Sequence, residues 1–149
     1  MAIRLIVVDD HPIVLQGLQR LLERQPDMRV VGAFQTVADA WPRITGESPD
    51  VVLVDLRMPV EGGLDLIRRM SAQRLPSAPI VLTATIAPHD MQEAMRLGVR
   101  GVLLKEAPPA EVLACIREVH HGGRWIDRSA DAAFSRDAVP WAPAPQAAS

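Results

Sequence analysis

The chain has 149 residues, 48% hydrophobic and 23% charged, with a formal net charge of −2. That is the length of one domain with enough chain to bury a core. The charge leaves no basic excess to coat a nucleic-acid backbone, and one cysteine, Cys115, excludes a disulfide framework or a cysteine-rich zinc site. No apolar run approaches the 18 residues of a membrane span and the N-terminus has no signal-peptide pattern, so a soluble, cytoplasmic protein without a membrane partner is expected. Fifteen of the sixteen basic residues are arginine; the single lysine is Lys105.

In chain order, Ile3, Leu5, Ile6, Val7 and Val8 predict a first strand that ends at Asp9-Asp10. Pro12 suits a first helical position, and Val14, Leu15, Leu18, Leu21 and Leu22 recur at helical spacing until Gln25-Pro26. Residues 28–34 predict a second strand, and 37–44 a short helix closed by Gly46. Val51-Val52-Leu53-Val54 is a third apolar run ending at Asp55, and Gly62-Gly63 opens a helix through Leu64, Ile67 and Met70. Ile80-Val81-Leu82 ends at Thr83, with a helix at 90–97 behind it. Residues 101–104 end at Lys105, and Val112, Leu113, Ile116 and Val119 make a last helix that breaks at Gly122-Gly123.

Five strands therefore alternate with five helices. Continuous hydrophobicity in the first, third and fourth strands means burial on both faces, as in a parallel sheet between helices. Right-handed crossovers then produce a doubly wound, flavodoxin-like α/β fold. Residues 129–149 hold eight alanines and three prolines, the composition of a linker or disordered tail. The expected division is a domain over 1–122 and a linker or tail over 123–149. Trp125 is expected to dock on the domain or a partner, and Trp141 to lie in disordered chain.

Ligands of such sheets bind outside the carboxyl ends of the strands, where strand order reverses. Those ends carry Asp9 and Asp10, Asp55, Thr83 and Lys105. Two like charges 4 Å apart repel by about 4 kcal/mol at an effective dielectric near 20, so clustered carboxylates need positive charge. Mg²⁺, which takes one or two carboxylates and keeps positions for water and phosphate, fits that ligand set. An ammonium, a hydroxyl and a metal around one carboxylate suit three phosphoryl oxygens, with Asp55 as nucleophile.

Val8-Asp9-Asp10-His11-Pro12 with Gly17-Leu18, Asp55-Leu56-Arg57-Met58-Pro59 with Gly63-Leu64, Thr83-Ala84, and residues 97–105 (LGVRGVLLK) together resemble response-regulator receiver domains of two-component systems, in the NarL/FixJ branch. The resemblance spans roughly residues 3–122. It implies that Asp55 takes a phosphoryl group from a sensor histidine kinase. Asp10 and Asp55 would hold Mg²⁺ directly, with Asp9 partly through water and the Arg57 backbone carbonyl as a further ligand. Thr83 and Lys105 would hold phosphoryl oxygens. It also implies homodimerisation on phosphorylation, and transcriptional output through a DNA-binding helix-turn-helix domain beyond the linker, which this chain does not contain, so that the chain reads as cut short. The other reading within the class is a stand-alone receiver acting through protein contacts.

The chain departs from this family at one place. The switch aromatic normally stands three positions before the lysine, where this sequence has Val102, and it has no tyrosine at all. Thr83 and Val102 are therefore the expected switch positions, with the usual aromatic swing unable to operate in its usual form. A haloacid-dehalogenase phosphatase also uses a strand-end aspartate but needs an acid two residues later, where Arg57 stands. A receiver of this type is a phosphorylation switch rather than a turnover enzyme, and a pseudo-receiver that never takes phosphate is the remaining alternative.

Each residue also has a local reading. Asp9 and Asp10 suit helix caps, Asp55 a turn, Thr83 a strand-end hydrogen bond and Lys105 a solvated surface. The last is weakened by a chain that elsewhere uses only arginine, because lysine provides a point charge where arginine provides a planar fork. His11 reads as positional or solvent-facing, His120-His121 as favourable to the helix dipole, and Cys115 as a packing residue.

Overall fold

A computed structural model describes residues 2–127. The elements run β1 (Ile3–Val8), α1 (Pro12–Glu23), β2 (Met28–Phe34), α2 (Val37–Glu47), β3 (Val51–Val54), α3 (Gly63–Ala72), β4 (Ala78–Thr83), α4 (Pro88–Arg96), β5 (Gly101–Leu104), α5 (Pro109–His120) and β6 (Trp125–Ile126). All neighbouring strands are parallel, in the order β2-β1-β3-β4-β5-β6.

The apolar runs are continuous because each strand feeds two cores. Ile6 and Val8, Val52 and Val54, Val81 and Val102 point into one core with Ala40 and Ile44 of α2, Leu66, Ile67 and Met70 of α3, and Met91 and Ala94 of α4. Leu5 and Val7, Val51 and Leu53, Ile80 and Leu82, and Leu103 point the other way, onto Leu15, Leu18 and Leu22 of α1 and Val112, Cys115, Ile116 and Val119 of α5. The period-two alternation of strand side chains thus becomes a three-layer sandwich.

Two expectations are corrected. Among the described residues the sheet has six strands instead of five: Gly101 pairs with Trp125 and Val102 with Ile126, and the Asp127 N–H donates to the Val102 carbonyl at 2.7 Å. The residues expected to begin the linker thus return to cover the edge of β5. Two residues are too few to show a period, and only the unpaired edge of β5 gives them a partner. Trp125 does dock, packing on the α1/α5 core. The remainder of the expected linker, with Trp141, lies outside the described residues. Helix α2 also runs through Gly46 to Glu47 and stops at Ser48, whose φ is +48°.

The strand order reverses between β1 and β3, since β2 lies beyond β1 and β4 beyond β3. The crevice outside that switch point is bounded by residues 9–11 and 55–57. Gly63 fixes its floor: a Cβ there would run into the Asp55 carbonyl oxygen and lie 3.0 Å from Leu56 Cα. The Gly63 N–H meanwhile donates to the Leu56 carbonyl at 3.1 Å. A side chain at this helix start would push directly on the backbone of Asp55.

Candidate functional site

Backbone hydrogen bonds between strands set the position of each acid. The Asp9 N–H donates to the Phe34 carbonyl, and the Asp55 N–H to the Val8 carbonyl, each at 3.0 Å. The Lys105 N–H donates to the Thr83 carbonyl at 2.9 Å. The ladder therefore continues one residue past the strands and presents Asp9, Asp55 and Lys105 from the ends of β1, β3 and β5 on one edge of the sheet.

Asp9 and Asp55 are almost fully buried, at 2% and 3% exposure. Lys105 bridges them, with Nζ 2.8 Å from Asp9 Oδ2 and 2.8 Å from Asp55 Oδ2. Burial opposes the lysine charge, but hydrogen bonds and attraction from Asp55 and Asp9 outweigh it and raise the Lys105 pKa above the ordinary lysine value. The second oxygen of Asp55, Oδ1, accepts from the Arg57 N–H at 3.2 Å. The Arg57 residue is exposed.

Asp10 has no lysine. Its Oδ1 is buried and makes no hydrogen bond of acceptable geometry, although His11 Nδ1 lies 3.2 Å away. A buried carboxylate oxygen without a partner is costly, and it faces a cluster in which ligand atoms of Asp9, Asp10, His11 and Asp55 all lie within 4.8 Å of one another. An oxygen-rich donor set of net negative charge with one unmatched oxygen fits a hard divalent cation.

His11, read from the sequence as positional or solvent-facing, is exposed and also stands at this cluster. Its exposed ring turns inward, with Nδ1 2.9 Å from Asp9 Oδ1, 3.7 Å from Asp55 Oδ2 and 3.2 Å from Lys105 Nζ. The only signal available beforehand was its place beside the acid pair. Thr83 is buried at the end of β4, but its hydroxyl donates to the Thr85 carbonyl at 3.1 Å, in the loop leading to α4. Val102 is fully buried in the core under α2, α3 and α4, between Val81 of β4 and Ile126 of β6. The structure thus gathers Asp9, Asp10, Asp55 and Lys105 with His11 at the crevice. Thr83 stands at the next strand end, and Arg57 reaches the cluster through its backbone.

No helix among the described residues is long and apolar enough to cross a membrane. Residues 5–117 match the model of the response regulator receiver domain. The chain is 30% identical over 132 residues to the DNA-binding transcriptional activator DevR/DosR of Mycobacterium tuberculosis, covering 89% of this chain and 61% of that protein. It is 36% identical over 124 residues to the response regulator UvrY of Escherichia coli K12, covering 83% of this chain and 57% of that protein. It therefore spans about three fifths of the length of these curated relatives. Among solved structures, the signal receiver domain of the putative response regulator NarL from Mycobacterium tuberculosis superposes with a TM-score of 0.77 at 30% identity, over 81% of this chain and 98% of that domain. With the family model matched over residues 5–117 and the NarL receiver domain matched over most of the chain, the chain belongs to the response regulator receiver family, in the NarL/LuxR class.

Proposed function

We propose that this domain is the phosphoacceptor switch of a two-component response regulator, phosphorylated on Asp55 by a sensor histidine kinase. The observation that carries this reading is the placement of Asp55: buried at the topological switch point, with Lys105 on one oxygen and the Arg57 N–H on the other. In the transfer, an Asp55 carboxylate oxygen attacks phosphorus. The N–P bond of the donor phosphohistidine breaks, its electron pair stays on the imidazole, and an acyl phosphate forms. Lys105 holds the nucleophile in place and afterwards offsets the added negative charge as a compact ammonium. Asp9, Asp10, Asp55 and the Arg57 carbonyl would hold Mg²⁺, which supplies charge stabilisation for the phosphoryl oxygens.

Thr83 is the proposed switch. To donate to a phosphoryl oxygen its hydroxyl must leave the Thr85 carbonyl, which frees the loop before α4. Val102 offers no ring to swing, so a smaller rearrangement of the β4–α4 loop carries the change. Phosphorylation-linked homodimerisation and transcriptional output through a DNA-binding domain are part of the same reading, in a cytoplasmic protein, and DevR/DosR, itself a DNA-binding transcriptional activator, supports the latter.

Acetyl phosphate with Mg²⁺ should phosphorylate the wild-type chain and leave Asp55→Asn unmodified, read by phosphate-affinity electrophoresis. An unshifted wild type, or an equally shifted mutant, refutes the assignment.

A further inference from the structure

We infer that His11 is a nitrogen ligand of the Asp9–Asp10–Asp55 cation site, and that it biases the site toward a transition ion of the cobalt, nickel and zinc class. The inference rests on the reading of the acidic crevice as a cation site and adds a donor of different chemistry to it.

The first support is the geometry. His11 Nδ1 lies 2.9, 3.2 and 3.7 Å from oxygens of Asp9, Asp10 and Asp55. Ligands about 2.1 Å from a shared ion sit about 3.0 Å apart in an octahedron and about 3.4 Å apart in a tetrahedron. The three oxygens stand from Nδ1 at separations close to those of neighbouring ligands on one ion, within a set whose ligand atoms all lie within 4.8 Å of one another.

The hydrogen-bonding inventory points the same way. A neutral imidazole nitrogen either donates or accepts one hydrogen bond. Nδ1 nevertheless faces an ammonium donor, Lys105 Nζ at 3.2 Å, as well as the acceptors Asp9 Oδ1 and Asp10 Oδ1. As a donor the nitrogen meets the lysine's own N–H groups, and as an acceptor it turns a lone pair on the carboxylates. The buried Asp10 Oδ1 stays without a hydrogen bond in either case. An ion among these atoms would satisfy the lone pair and the orphaned oxygen together.

The ring is not there as a cap. His11 is the N-cap of α1, yet its side chain makes no capping hydrogen bond to that helix, and it remains 59% exposed at the mouth of the crevice. Three carboxylates against one lysine leave charge for a dication. Carboxylates alone favour magnesium, whereas an added imidazole favours zinc, nickel and their neighbours.

The test uses the full 149-residue chain and Co²⁺ alone. Calorimetric affinities for Co²⁺ and Mg²⁺ are measured on wild type, on His11→Gln and on the double variant His120→Gln/His121→Gln. The last removes the adjacent pair whose rings lie 5.4 Å apart. Proton spectra of the Co²⁺ forms are searched for a hyperfine-shifted, exchangeable imidazole N–H, the signature of a ligating histidine. Wild type should bind Co²⁺ at least about tenfold more tightly than Mg²⁺ and show that resonance. His11→Gln should weaken Co²⁺ by about ten- to a hundredfold, at least tenfold more than it weakens Mg²⁺, and lose the resonance. The double variant should retain both.

Equal losses for the two ions in His11→Gln, or a resonance that survives there or never appears in wild type, overturn the ligand assignment. If wild type still binds Mg²⁺ and takes phosphate from acetyl phosphate, that failure belongs to His11 alone. No binding of either ion to wild type would overturn the cation site itself.

Discussion

Replacing Asp10 with asparagine removes one of three carboxylates that the sheet edge forces together, while keeping the shape of the side chain. Lys105 already bridges Asp9 and Asp55 at 2.8 Å each, so Asp10 is the acid without a lysine. Its nearest basic group is the His11 ring, at 3.2 Å. Ligand atoms of the cluster lie within 4.8 Å of one another. At that separation a like-charged pair repels by about 3.5 kcal/mol with an effective dielectric of 20 and by about 0.9 kcal/mol in bulk water. The Asp10 side chain is 26% exposed, which places it between those limits, and its attraction to His11 offsets part of the gain. Asp10→Asn should therefore stabilise the cation-free fold by about 1–3 kcal/mol, or roughly 2–4 °C in melting temperature per kcal/mol for a chain of this size. Thermal unfolding in EDTA, followed by circular dichroism, measures this. Adding Mg²⁺ should then raise the wild type by RT ln(1 + [Mg²⁺]/Kd) and the variant by much less, narrowing or reversing the order. A variant less stable than wild type in EDTA, or equal gains from Mg²⁺ in both proteins, would refute the electrostatic reasoning.

Gly63→Ala should lower stability by about 1–3 kcal/mol through overpacking, because the new methyl meets the Asp55 carbonyl; an unchanged urea midpoint would count against that contact. Lys105→Arg keeps the charge but puts a planar fork where an ammonium bridges two carboxylates at 2.8 Å. It should therefore weaken the phosphorylation-induced change in amide exchange of the β4–α4 loop, and a wild-type response would contradict the point-charge argument. Burial pushes the Cys115 thiol up to about 12. Iodoacetamide should accordingly label it only on unfolding, and a native labelling rate that climbs through pH 8.5, as for a free cysteine, would overturn this.

The fold was legible because its signals are local. Runs such as residues 51–54 are apolar throughout because each of their side chains enters one of two cores. The helices α1 and α5 declared themselves through the spacing of Leu15, Leu18 and Leu22, and of Val112, Ile116 and Val119. Strand β6 was not legible, since Trp125 and Ile126 acquire their role only from the open edge of β5. Lys105 stood out for a compositional reason, as the one lysine among fifteen arginines, and the structure puts it against two buried acids. His11 carried no such mark, and its inward turn depends on carboxylates from two strands.

The alternation of strands and helices and the set of polar residues at the strand ends can be read from the chain alone. Both are properties of neighbouring residues and of parallel-sheet geometry. Where side-chain atoms meet is a matter of three-dimensional packing. It put His11 Nδ1 among three carboxylates, gave the Thr83 hydroxyl to the Thr85 carbonyl, and set Val102 between Val81 and Ile126. The contacts of His11 with Asp55 and of Val102 with Val81 and Ile126 join residues far apart in the chain; those of His11 with Asp9 and Asp10 and of Thr83 with Thr85 are local but depend on side-chain rotamers. Rotamers and strand pairings choose them, and no pattern along the chain encodes them.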